Sequence, residues 1–344
     1  MKRPKGYRGF TLLEVIVSTA IISLLVVLLL GLVSQTQKTW LYTNGRMEQF
    51  RGARDAFDAI TRRLGTATLN AYLDYDNPTN PTSVGRCSNL RFLSGPTAVT
   101  LGATTVATNL PWMSVFFQTP AGFSTNAQNA SLRDALNTWG YYLEYAPDTT
   151  ARPSFLGAGQ AAPLWRYRLM EMMQPTESLS VYSRAAASPG YTNVDWVTDA
   201  LSLPEGSRPC HVLAENVVAL IFLPKVPPAS QTPPYTAASL APGYVYDTSR
   251  MDAASPDPNL NPHNQLPPVV QVTLVAVDEE SSIRKGAVLA GVTNVMESLF
   301  QNALNYSNDL GVLESYLRTN SVSYRIFTTD VMIRGAKWSM TQTN

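Results

Sequence analysis

From Phe10 to Val33 the chain is apolar except for Thr11, Glu14, Ser18, Thr19, Ser23 and Gly31. As a helix, at about 1.5 Å per residue, this run covers roughly 36 Å, enough to cross a bilayer. No other feature restricts the fold as strongly, because it sets aside one end of the chain as an apolar helix. Four basic residues, Lys2, Arg3, Lys5 and Arg8, precede it. Basic flanks stay on the cytoplasmic side, which predicts that the C-terminal bulk lies outside.

An ordinary secretory signal is cut after its apolar stretch at a small-x-small site. Beyond Leu30 the chain reads Gly-Leu-Val-Ser-Gln-Thr-Gln, which has no such site and no lipoprotein cysteine. An uncleaved signal anchor leaves Glu14 unexplained. A carboxylate inside a membrane helix costs about 2.5 kcal/mol or more unless paired or neutralised, and such a residue points to function.

Gly9-Phe10-Thr11-Leu12-Leu13-Glu14-Val15, after a basic leader and before a long apolar helix, resembles the recognition motif of type IV prepilins. The resemblance implies that a prepilin peptidase cuts between Gly9 and Phe10, leaves the apolar stretch in place and N-methylates Phe10. Glu14 falls on the family's glutamate position, and Gly31 stands where many members carry proline. Cleavage creates an amine at Phe10, one helical turn from Glu14. In a bundle of parallel helices Glu14 can face a neighbour's Phe10 amine, so that both charges are compensated. Such a pair sets register, as polar positions do in coiled coils.

Trp40, Met47, Phe50, Phe57, Ile60 and Leu64 recur at helical steps, with Arg46, Glu48, Arg51, Asp55, Asp58, Arg62 and Arg63 on other faces. The helix is therefore predicted to continue through 34–64, with no proline between Lys5 and Asn77. Strands are predicted at Leu90–Leu93, Trp112–Gln118, Trp139–Tyr145, Leu164–Met173, Val212–Leu223 with a turn at Glu215-Asn216, Val269–Val277 and Ser323–Arg334. Residues 281–304 and 308–318 read as helices, the first with an apolar face of Ile283, Val288, Leu289, Val292, Val295, Met296 and Leu299. Pro224–Pro268, rich in Pro, Ala, Ser and Asn, reads as a long surface loop.

Several of these segments are similar to the J-type minor pseudopilin of type II secretion: Tyr141–Tyr145 followed by Leu164-Trp165-Arg166-Tyr167-Arg168, then Leu213-Ala214-Glu215-Asn216-Val217, then Leu266-Pro267-Pro268-Val269-Val270. The longer C-terminal part, ending Tyr324-Arg325-Ile326-Phe327-Thr328-Thr329, resembles the prepilin-like Verru_Chthon cassette protein C group.

Little in the chain points to catalysis. There is no GxSxG elbow, Walker A loop, GxGxxG fingerprint or kinase set. Asp278-Glu279-Glu280 reads as a solvated turn. The formal net charge of +1 gives no general attraction to nucleic acid, and none is expected as a partner. His211 and His263 lack metal-site spacing. Asp74-Tyr75-Asp76-Asn77 and the stretch from Asp252 to Asn264 are oxygen-rich, and some pseudopilins hold calcium in such loops. Neither has the EF-hand spacing, so ordinary turns are the first reading and calcium the alternative. Cys87 and Cys210 can form one disulfide if the domain lies outside the cytoplasm; otherwise they are two separate small apolar side chains.

These readings predict an α+β fold: a long N-terminal transmembrane and amphipathic helix packed on an antiparallel β-sheet domain, with C-terminal helices and a closing strand. The divisions are a leader at 1–9, a membrane helix at 10–33, its amphipathic continuation at 34–70 and a β-rich domain at 71–344, with 224–268 as the loop. The resemblance implies a minor pseudopilin that primes or caps a secretion- or pilus-type filament. Its expected partners are prepilin peptidase, other pilin-like subunits and an inner-membrane assembly platform. The alternative is a membrane-tethered surface protein for adhesion, uptake or substrate recognition.

Overall fold

The computed structural model describes residues 11–75, 77, 79–100, 112–129, 131–148, 163–182, 194–231, 234–249 and 260–337. The chain divides into two compact units, Met1–Gln49 and Phe50–Asn344. Helix α1, Leu12–Leu64, supplies the first and opens the second. It ends where Gly65 enters; Arg62 and Arg63 in its last turn complement the helix dipole.

Within the second unit the strands are β1 (Tyr72–Tyr75), β2 (Val84–Cys87), β3 (Phe92–Pro96), β4 (Met113–Pro120), β5 (Leu136–Pro147), β6 (Trp165–Gln174), β7 (Cys210–Glu215), β8 (Val217–Lys225), β9 (Tyr246–Asp247), β10 (Val269–Val277) and β11 (Tyr324–Met332). The helices after α1 are α2 (Thr97–Thr100), α3 (Asp195–Leu201), α4 (Glu279–Arg284), α5 (Gly286–Glu297) and α6 (Tyr306–Thr319). A six-stranded antiparallel sheet runs β7-β6-β5-β4-β3-β9; a three-stranded one runs β11-β10-β8; β1 and β2 pair separately. A long apolar helix followed by antiparallel sheets and further helices is the predicted α+β class, in a pilin-like layout.

The six-stranded sheet is covered on both faces. On one, Phe57, Ile60 and Leu64 of α1 share a core with Val115, Phe117, Tyr141, Leu143 and the strands β8 and β10. On the other, Phe116, Tyr142 and Met172 pack with Trp196, Val197 and Leu201 of α3. Double coverage is why β4 is buried along nearly its whole length instead of alternating. Helix α3 has no counterpart among the predicted elements.

Strand β10 has the predicted bounds. The predicted strand Val212–Leu223 is two strands in two sheets. Asn216, in the left-handed region at φ 59°, makes the break, and the turn expected at Glu215-Asn216 is this corner. Its N–H donates to Tyr167 O at 2.7 Å in one sheet, and its carbonyl accepts from Val277 N at 2.9 Å in the other.

Three expectations need correction. Pro224–Pro268 is not merely a surface loop: Leu240, Tyr244, Tyr246 and Leu266 are buried, and β9 adds to the sheet edge beside β3. Its turn-rich composition hides those anchors. Asp278-Glu279-Glu280 is no solvated turn, because Asp278 is buried and caps α4 by accepting from Ser281 N at 3.2 Å. Ile283, assigned to an apolar face, is exposed, since the predicted helix breaks at Lys285 and its first part buries Ser281 and Ser282 instead.

Candidate functional site

The first unit carries the residues singled out in the sequence. Gly9 and Phe10 lie outside the described residues. Thr11 stands at the start of α1, and its backbone N–H and hydroxyl both donate to Glu14 Oε2, at 2.9 and 3.0 Å. Glu14 N–H returns a bond to Thr11 Oγ1 at 3.3 Å. This is a reciprocal capping box, satisfying donors that a helix start leaves open. Both side-chain contacts use Oε2, and Oε1 has no partner among the described residues. The Thr-x-x-Glu spacing is a local signal for this cap, and its residues coincide with the larger motif.

The other polar groups of the apolar stretch are satisfied inside the helix. Ser18 donates to Glu14 O at 2.6 Å, Thr19 to Ile16 O at 2.9 Å and Ser23 to Ala20 O at 2.9 Å. Hydroxyls returned to the preceding turn leave no open donor for lipid to solvate. Leu12–Trp40 is long and apolar enough to cross a membrane, and every side chain from Thr11 to Trp40 is exposed.

In the second unit, the C-terminal turns of α1 are fastened to the six-stranded sheet. Arg63 pairs with Glu171 of β6, a carboxylate only 2% exposed. Arg63 also donates to the Tyr141 hydroxyl at 3.1 Å, and its guanidinium lies 3.9 Å from the centre of the Trp139 ring. His211 Nε2 stands 3.0 Å from the other oxygen of Glu171. Burial, then the Arg63 charge, hold the His211 imidazole below its usual range, although a carboxylate is adjacent. No local pattern foretells this cluster, since Arg63 and Glu171 are 108 positions apart.

Cys87 on β2 and Cys210 on β7 are free thiols in different sheets, so the structure does not join them in a disulfide. Burial pushes both thiols up, with Asp74 adding to the effect at Cys87. Of the oxygen-rich segments, Asp76 and most of 252–264 lie outside the described residues. Among the described residues no cluster of acidic, histidine or cysteine side chains forms a metal site.

An apolar helix long enough to cross a membrane, with one capped carboxylate at its start, thus precedes a compact β-rich unit. Residues 4–30 match the family model described as the prokaryotic N-terminal methylation motif, the type IV prepilin-like signature. No curated protein and no solved structure matches the chain. The motif points to a type IV pilin-like subunit, processed by prepilin peptidase and held in the membrane by a single segment, and so to a structural role in place of an enzymatic one.

Proposed function

We propose that the chain is a minor pseudopilin that primes or caps a secretion- or pilus-type filament. In this reading prepilin peptidase cuts between Gly9 and Phe10 and methylates Phe10. The C-terminal unit then lies outside the cytoplasm, and the mature helix joins other pilin-like subunits on an inner-membrane platform. The observation that carries the proposal is the methylation motif running directly into an apolar helix with an exposed surface. The J-type likeness supports the finer assignment: its segments fold into β5 and β6, the Asn216 corner and β10. Glu14 aligns an incoming subunit by offering Oε1 to a neighbour's Phe10 amine while Oε2 keeps the cap.

Intact-mass and N-terminal peptide analysis of the native membrane protein tests the processing step. The expected mature chain begins at N-methylated Phe10. A chain that keeps Met1–Gly9, or that starts beyond residue 33, overturns it. Glu14→Ala is expected to abolish co-assembly with pilin-like partners while leaving the C-terminal unit folded. Normal assembly by that variant removes the alignment role.

A further inference from the structure

A cleft of about 320 Å³ opens in the second unit, where three distant segments meet. Leu69 and Leu73 form one wall with Arg86 of β2 beside them; Asn264 and Leu266 form the next, and Gly335 and Lys337 close the third. Hydrogen bonds hold these walls. The Asn264 side-chain amide donates to Arg86 O at 2.6 Å, and the Tyr246 hydroxyl donates to Gln265 O at 2.9 Å. Arg334 N–H donates to Gly65 O at 3.1 Å. Asn264 keeps a left-handed φ of 54° to reach its partner. At Gly335 a Cβ would stand 3.0 Å from Ala67 O, so the absent side chain lets the third wall close.

The lining is electrostatically one-sided. Arg86 and Lys337 both line the cleft, and among the described residues no carboxylate does. Among the described residues neither cation has an ion pair. Two cations beside apolar side chains, of which Leu266 is buried and Leu73 exposed, suit an anion carried on an apolar group, since the anion offsets their charge and the apolar side chains cover part of the remainder. Arginine adds a planar fork matched to carboxylate.

We infer that this cleft binds a carboxylate borne on an apolar group, with Arg86 and Lys337 on the carboxylate and Leu69, Leu73 and Leu266 around the apolar part. Two sources share that chemistry, the C-terminal residue of a peptide chain and a free aliphatic carboxylate. The inference stands on the cleft alone and is independent of the filament role.

The test titrates the full-length protein, in non-ionic detergent, with acetyl-Ala-Ala-Leu as the free acid, with the same peptide amidated, and with hexanoate. The free acid is expected to bind at least tenfold tighter than the amide and to weaken with salt. Arg86→Gln and Lys337→Gln are each expected to weaken it tenfold or more, while Arg86→Lys, which keeps the charge and loses the fork, weakens it less than Arg86→Gln. Lys337 is exposed, so its substitution separates lost binding from lost folding. Tighter binding of the peptide acid assigns a chain terminus, and tighter binding of hexanoate assigns a free carboxylate. Equal binding of acid and amide, or no binding by any probe, overturns the inference.

Discussion

Single side chains settle several local questions. Asn216 holds a left-handed backbone and donates from its side-chain amide to Glu279 Oε2 at 2.6 Å. Asn216→Ala loses that bond and places a Cβ-bearing residue without local hydrogen bonding in the same region. Denaturant unfolding is expected to show a loss of about 2 kcal/mol, with Asn216→Gly losing less. Glu177 gathers the 124–129 turn by accepting from the Ser124 hydroxyl and from Asn129 at 3.0 Å. These bonds, Ser124 first, bring its carboxyl down from 4.5 to about 2. A depressed folded value means that the contribution is complete above the unfolded value and disappears as pH falls from about 4.5 to about 2. The protection of the Thr125 and Asn126 amides, measured relative to their intrinsic exchange at each pH, should therefore fall as pH drops through that window. Glu177→Gln should remove the pH dependence.

At the scale of elements, the seating of α1 in the second unit depends on Arg63 as well as on Phe57, Ile60 and Leu64. Arg63→Ala leaves Glu171 buried with His211 alone, and is expected to cost about 3 kcal/mol in denaturant unfolding. The same change removes a repelling charge, so the His211 titration followed by NMR should move upward. In the six-stranded sheet, Gly140 faces Phe116 across the β4–β5 pairing, and a Cβ there would lie 2.3 Å from Phe116 Cδ1. Gly140→Ala should destabilise by about 1–3 kcal/mol through overpacking. Much of the element pattern is legible in the sequence. Val269–Val277 is a β-branched run closed by Pro268 and Asp278, and the α1 pattern survives to Leu64 because one face meets a core. What escapes notice depends on distant partners: Tyr244 and Tyr246 sit among turn-forming residues, and α3 is too short to show a period. At the candidate site Glu14 stands out as a charge in an apolar run. Arg63 and Glu171 look like any surface charges until the fold joins them.

For the molecule as a whole, Phe50–Asn344 encloses its own cores, whereas every side chain of Leu12–Trp40, most of them apolar, is exposed. The fragment Phe50–Asn344 is therefore expected to be soluble and to melt in one cooperative transition by calorimetry. A fragment that aggregates or lacks a transition would show that the membrane helix is required for folding. The corner at Asn216 bears on the order in which the chain is made. Strands β3 to β7 follow one another in space as they do in sequence, and all five precede Asn216. A chain delivered N-terminus first can thus assemble that meander from neighbouring segments before β8 emerges, leaving only β9 to be added to its edge. The three-stranded sheet must wait, because β8 pairs with β10 across the long 224–268 excursion and β11 follows last. Local pairing is fast and distant pairing slow. A chain halted during synthesis just past Asn216 should already protect amides in β4, β5 and β6.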